Sequence, residues 1–368
     1  MKLGIVRLYM GQSGKFGYYN IQELGLAKAL ANNGIKSDIF FLNENKYVEI
    51  KNINENIRII YIPAKKVCNH GIVNPKFLLD YNIDFVHLLS DNQLMAPSFI
   101  RFCSKNKIPM YNYVGTIYSD TNNVLKKWIM NIISKRNIKY FKESRVIAKT
   151  PTIKNILESK GVKNIEVIPV GLDLDLIPKI NESKEQLREK LQLPKDKKIL
   201  IFVGRFEEYK NPVQALEILN ELNKISRDYY LVMIGSGSLK NQILNKIQEF
   251  NLNNITIIDK VQNKKIHEYY RACDIFINLN SKEIFGMSIL EAMYNECQVM
   301  AIKAPGPDYI IKNNISGFIF DSYKEMIEMI ISDKQLQTND IKIRIENKFI
   351  YDTIVDEIIF IIKSNKLL

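Results

Sequence analysis

Short apolar runs alternate along the chain with stretches whose apolar residues recur at helical spacing. "LGIVRLY", "SDIFFL", "IRIIYIP", "DFVHLL", "IPMYNYVG" and "SRVIAKT" read as buried strands. "IQELGLAKALANNG", "QLMAPSFIRFCSKN" and "TIKNILESKG" read as helices between them, the first stopping at Gly34. The pattern then restarts. "KKILIFVGR", "YYLVMIG", "NITIID", "CDIFINL" and "CQVMAIK" are strands, and "NPVQALEILNELNKI", "GSLKNQILNKIQEF", "KKIHEYYRA" and "GMSILEAMYN" are helices. Strand followed by helix, repeated, predicts an α/β fold with doubly wound parallel sheets covered on both faces. Two passes predict two domains, 1–170 and 171–340. "VIPVGLDLDLIPK" forms the boundary, punctuated by Pro169, Gly171 and Pro178. The segment 341–368 belongs to one long helical pattern, "TNDIKIRIENKFIYDTIVDEIIFIIKSNK", that follows the second sheet.

Composition changes this picture only in part. The chain has 368 residues and a formal charge of +12, which favours anionic partners without choosing among nucleotides, nucleic acid and membrane surfaces. Its four cysteines are scattered and form no C-x-x-C pair, as expected of reduced thiols in the cytoplasm. Cys68 and His70 have no companions that would complete a metal site, and no metal is expected. No apolar run approaches the ~20 residues of a membrane span.

Four segments carry candidate chemistry. "MGQSGKFGYYN" lacks the spacing of a P-loop and of the dinucleotide fingerprint. Its glycines, Gly11, Gly14 and Gly17, lie between a strand and a helix. Backbone N–H groups there can approach a phosphate or an acceptor, and a plain connecting loop fits the same residues. "DLD" at Asp173 to Asp175 falls in the boundary and reads as a turn or cap rather than a metal ligand. In "FVGRFEEYKNP", Arg205 and Lys210 stand across a strand-to-helix loop, at the end of the sheet where such folds bind ligands. They can straddle a diphosphate, or form a solvated pair neutralised by Glu207 and Glu208. In "EIFGMSILEA", Gly286 lets the backbone approach a ligand, and the amides of Phe285, Gly286 and Met287 face outward at a helix start. Glu291, about two turns into that helix, can accept hydrogen bonds from vicinal ribose hydroxyls, leaving Glu283 toward the reacting group. The plainer alternative is an acidic helix start with Glu291 in solvent.

Together these segments resemble the retaining, two-Rossmann-domain (GT-B) glycosyltransferases of family 4, over nearly the whole chain. "EIFGMSILEA" is similar to the family's E-x7-E signature, "VGRFEEYKNP" to its G-R-x-x-x-x-K segment, and "VIPVGLD" to its linker P-N-G-x-D, with Val170 in place of Asn. "KKIHEYYRACDIFINLNSKEIFG" and "APGPDYIIKNNISGFIF" resemble the stretches on either side of the signature. The resemblance implies two Rossmann-like domains facing across a cleft, an N-terminal acceptor domain, a C-terminal donor domain, and a last helix that crosses back to the first domain. It assigns Arg205 and Lys210 to the donor diphosphate and Glu291 to the donor ribose. Phe285, Gly286 and Met287 go to phosphate or sugar, and Glu283 to the sugar hydroxyls. Glu283, Arg205 and Lys210 form the implied catalytic set. The nucleotide sugar, usually a UDP-sugar, is a substrate and no cofactor is needed. Two departures stand out: "YNYVGTIYS" has no histidine where family members carry one, and Val170 alters the linker. His87 matches another family histidine and is either a cleft group or a core residue.

"NNVLKKWIMNIISKRNIKYFK" places Leu125, Trp128, Ile129, Ile132 and Ile133 on one helical face, with Lys126, Lys127, Lys135, Arg136 and Lys139 around it. Such a basic amphipathic helix either lies on an anionic membrane or packs its apolar face on the sheet. The expectation is a cytoplasmic glycosyltransferase, peripheral at the inner face of the membrane, acting on a glycan or lipid-linked acceptor in bacterial surface glycan synthesis. A GT-B enzyme of another class, such as an epimerase, would need acid–base carboxylates and histidines that are sparse here. Nucleic-acid binding ranks last, because lysine predominates and is spread widely.

Overall fold

The computed structural model describes residues 1–11, 21–118, 123–336 and 338–364. Within them the chain forms two compact units, one of residues 1–11, 21–171 and 351–364, the other of 172–336 and 338–350.

The first unit contains β1 (Lys2–Arg7), β2 (Lys36–Asn43), β3 (Glu49–Asn52), β4 (Ile57–Pro63), β5 (Lys65–Val67), β6 (His70–Ile72), β7 (Phe85–Leu89), β8 (Met110–Val114), β9 (Arg145–Ala148) and β10 (Ile165–Val167). Eight of them form one sheet in the order β10-β9-β8-β7-β1-β2-β4-β3, and β5 and β6 form a separate hairpin. The large sheet is parallel except for β3, which runs antiparallel to β4 at the edge. β3 is exposed along its length and shows no apolar alternation that would have announced it. β7 is buried at every position, as a central parallel strand covered on both faces must be.

The second unit contains β11 (Lys198–Val203), β12 (Tyr229–Ile234), β13 (Ile255–Ile258), β14 (Ile275–Asn278), β15 (Gln298–Ile302) and β16 (Phe318–Phe320). Their order is β13-β12-β11-β14-β15-β16, parallel throughout. Leu200, Leu231, Met233, Ile275 and Ile277 of this sheet pack with Leu216, Leu219 and Met326 of the flanking helices in one core. The strand order reverses between β11 and β14. In open α/β sheets that switch point opens a crevice at the carboxyl ends of the two strands.

The long C-terminal helical pattern is two helices, Thr338–Lys348 and Tyr351–Ser364. The expectation of one continuous helix is corrected by Phe349, which is fully buried and packs against Phe285 and Tyr309. Its carbonyl accepts from Leu172 N at 2.7 Å, and Ile350 bridges Leu172, so the break satisfies its own backbone groups. The chain thus passes between units at adjacent points, after Gly171 and after Ile350. Tyr351–Ser364 packs on the helix Gln22–Asn32 of the first unit, burying Ile354, Ile358, Ile361 and Ile362. The Tyr351 hydroxyl donates to Gln22 O at 2.7 Å.

Candidate functional site

The loops after β11 and β14 meet at the switch point of the second sheet. Gly204 N donates to Ile234 O and Phe206 N to Ser236 O, each at 3.0 Å, and Leu239 N donates to Phe206 O at 2.9 Å. These bonds hold the Arg205 backbone against the turn after β12. Only glycine fits there: a Cβ on Gly235 would lie 1.9 Å from Gly204 O, and one on Gly237 2.4 Å from Phe206 O. Arg205 is exposed, with its guanidinium 5.3 Å from the centre of the Tyr209 ring; Lys210 Nζ lies 5.5 Å from that centre. Glu207 does not neutralise them, because its carboxylate is taken by Ser238, N at 3.1 Å and Oγ at 2.7 Å.

Asn211 ties the two loops together. It sits in the left-handed region (φ 51°) before the helix Pro212–Asn223, and its Nδ2 donates to Leu279 O at 2.8 Å. Lys210 Nζ then reaches Glu283 Oε2 at 2.5 Å, and Asn280 Nδ2 donates to the same oxygen at 3.1 Å. Asn280 is itself fixed: its N donates to Asn278 Oδ1 at 3.1 Å, and its Oδ1 accepts from Lys282 N at 3.0 Å. Glu283 O accepts from Gly306 N at 2.8 Å, a contact that a side chain at 306 would break, since its Cβ would fall 2.1 Å from Phe285 O. Asn280 was missed from sequence; two asparagines two apart just before Glu283 were the available turn signal.

Gly286 adopts φ 99° and starts the helix Met287–Tyr294. Phe285 is buried, its ring 6.4 Å from that of Phe349, which leaves its backbone rather than its ring for a ligand. Met287 is half-buried. Glu291 is not solvated but 8% exposed, and burial pushes its carboxyl up to about 7. Its only donors among the described residues are long: Tyr270 OH to Oε2 and Asn263 Nδ2 to Oε1, both at 3.4 Å. The carboxyl therefore keeps acceptor capacity that neither neighbour fills well. Asn295 Nδ2 braces the same turn, 2.7 Å from Glu291 O and 2.8 Å from His267 Nδ1.

In the first unit, burial decides between the two readings of His87 in favour of the core. It lies within β7, 3% exposed, with Nδ1 2.6 Å from Tyr111 OH and the rings of Tyr111 and Tyr113 each 5.0 Å away. Burial and, second, Lys149 push its pKa down to about 3, so it is a neutral core residue. Gly14 and Gly17 lie outside the described residues. Asp173 is a cap, its Oδ1 accepting from Asp175 N at 3.2 Å.

The helix Val124–Phe141 divides its faces differently from the sequence expectation. Ile133 turns inward with Ser134, Asn137, Ile138 and Phe141. Val124 (81% exposed), Leu125 (67%), Trp128 (61%), Ile129 (45%) and Ile132 (49%) face outward. At about 100° per residue these five span an arc of about 140°. Lys135, Arg136 and Lys139 continue the same side, all exposed, and Lys126 and Lys127 flank it. Arg136 also donates to Leu94 O.

Residues 183–343 match the family described as "Glycosyl transferases group 1". The D-inositol 3-phosphate glycosyltransferase of Xylanimonas cellulosilytica is 21% identical, covering 84% of this chain and 81% of its own. The alpha-monoglucosyldiacylglycerol synthase of Acholeplasma laidlawii is 23% identical, covering 69% and 67%. Anabaena HepE, solved in complex with UDP, superposes with a TM-score of 0.76 at 15% identity, covering 99% of this chain and 100% of its own. With the two doubly wound units described above, these likenesses give the chain the GT-B fold and relate its residues 183–343 to the group 1 glycosyl transferases.

Proposed function

We propose that the chain is a family 4 enzyme that transfers a hexose-type sugar from a nucleoside-diphosphate sugar, a UDP-sugar by preference, with retention and without a metal. The acceptor is a glycan or a lipid-linked molecule of bacterial surface polysaccharide or glycolipid synthesis. The observation that carries this reading is the meeting of Lys210, Glu283 and Asn280 at the β11–β14 crevice, with Glu291 on the helix that leaves the same loop. Arg205 and Lys210 supply positive charge where the diphosphate leaves, joined by the amides at the start of Met287–Tyr294. Fixed charge of this kind stabilises the departing oxygen and is often the largest catalytic contribution. Glu291 accepts from the ribose hydroxyls and Glu283 from those of the sugar. The anomeric C–O bond to the β-phosphate breaks, the acceptor oxygen bonds on the same face, and its proton leaves with the nucleoside diphosphate. The UDP complex of HepE and the acceptors named for the two bacterial relatives support the donor and acceptor classes.

Among the described residues no helix is long and apolar enough to cross a membrane. The exposed apolar arc of Val124–Phe141, ringed by lysines, suits peripheral contact with an anionic inner leaflet, where such an acceptor would reside. Incubation with a panel of nucleotide sugars, followed by assay of free nucleoside diphosphate, tests the enzymatic reading. Release from one donor is expected; no release from any would refute it.

A further inference from the structure

We propose that the carboxyl edge of the first sheet carries a subsite for an acceptor hydroxyl, formed by Asp91 and Lys149 above Gly115. The inference deepens the transferase reading and rests on it. β7, β8 and β9 are parallel neighbours, so the residues that follow them come together: Asp91 after β7, Gly115 and Thr116 after β8, and Lys149 after β9. Asp91 holds a left-handed backbone (φ 25°), rare for a non-glycine residue, and such strain persists where the surroundings fix it. Its Oδ1 accepts from Gly115 N at 2.6 Å and from Thr116 N at 3.1 Å, which stitches two strand ends together.

The other oxygen, Oδ2, lies 3.7 Å from Lys149 Nζ, too far for a hydrogen bond. Lys149 is only 8% exposed, and its ammonium lies 5.0 Å from the centre of the Tyr113 ring. Its backbone N donates to Val114 O at 2.9 Å, but among the described residues the ammonium makes no hydrogen bond, although it carries three donors. A nearly buried cation left in this state is costly unless a ligand or water completes its shell. A gap of 3.7 Å is short enough for one oxygen to sit about 2.8 Å from both groups. A hydroxyl fits that position best, because it can accept from Lys149 and donate to Asp91. A phosphate would gain the lysine but face the carboxylate, and the pair carries no net charge to attract it. Ser90 Oγ and Asn92 Oδ1, on either side of Asp91, are also buried without a partner among the described residues, so the loop retains polar capacity.

Gly115 belongs to the same design. A Cβ there would fall 2.5 Å from Lys149 Cδ and 3.2 Å from its Nζ. The stretch that lacks the family histidine is thus covered by a lysine from the next strand. The ligand class is a polyol or sugar hydroxyl of the acceptor.

Saturation-transfer NMR on the intact protein tests this, with methyl α-D-glucopyranoside as the hydroxyl probe and inorganic phosphate as the anion probe. Wild type is expected to bind the glucoside. Lys149→Met should weaken it about tenfold, the loss of one charge-assisted hydrogen bond. Gly115→Ala, which displaces the lysine without removing its charge, should do the same and stands in if Lys149→Met fails to fold. Undiminished glucoside binding in a folded variant overturns the proposal, as does phosphate binding in place of the glucoside or no glucoside signal in wild type. Thermal stabilisation by UDP, measured in parallel, should be equal in all three proteins. Its absence from wild type would count against the donor reading and leave the glucoside result to judge the subsite.

Discussion

The carboxyl edges of the two sheets assemble polar groups by different routes. In the second unit, Lys210 and Glu283 come from the loops after β11 and β14, and each lies in a short segment whose spacing is itself a pattern. In the first unit, Asp91, Gly115, Thr116 and Lys149 come from three strands and share no local pattern. The Lys210–Glu283 pair is in direct contact and partly buried, at 21% and 14% side-chain exposure, whereas Asp91 and Lys149 stand apart. A site that grips a diphosphate and a ribose needs several groups on one loop and helix start. Such a site leaves a linear signature. A site that needs one cation and one carboxylate can draw them from anywhere the sheet brings together, and leaves none.

Four experiments sharpen this contrast, beginning with the largest expected effect. Lys210→Met should lower transfer by roughly 100-fold to 1,000-fold, the loss typical of one donor to a developing oxyanion. It also strands Glu283, and steady-state kinetics with a measured Tm separate the two consequences. Replacing Lys126, Lys127 and Lys135 with glutamine should reduce binding to vesicles of anionic lipid by roughly 100-fold, at about 1 kcal/mol per cation. Added salt should weaken wild-type binding in the same assay, and nucleotide binding should not change. Glu291→Ala should weaken UDP binding roughly tenfold to 100-fold, by the loss of charge-assisted bonds to the ribose.

The smallest effect is in pH. Burial pushes the Glu291 carboxyl up to about 7, so it is largely protonated at pH 6. If the ribose requires the carboxylate, UDP affinity should rise up to about tenfold between pH 6 and 8, with a proton released on binding. Stability should move the other way. The folded carboxyl holds its proton to about 7 against a reference value of 4.5, so its burial destabilises the fold progressively as pH rises between those values. Glu291→Gln should flatten both profiles, and unchanged slopes would reject the assignment.

The sheets were legible because their strands are continuous apolar runs between helical periods, as in "KKILIFVGR" followed by "NPVQALEILNELNKI". β3 was not, since an exposed antiparallel edge strand needs no apolar face. Nor was the break after Lys348: Phe349 and Ile350 suit a helix in isolation, and only their pairing with Leu172 takes them out of one. For His87 the sequence left a cleft group and a core residue both open, and only the packing of Tyr111 and Tyr113 makes it core. Glu291 was identified by its distance from Glu283, but its burial against Tyr270 was not visible in that spacing. In the helix Val124–Phe141, periodicity grouped Ile133 with the outward residues; it lies instead on the buried face with Ser134, Asn137, Ile138 and Phe141.

Calorimetric titration of UDP onto the wild-type protein, repeated on Lys210→Met and Glu291→Ala, tests the central claim most directly. The expected result is saturable binding by wild type that weakens in both variants. Absence of binding by wild type, or affinity unchanged in both folded variants, would contradict it.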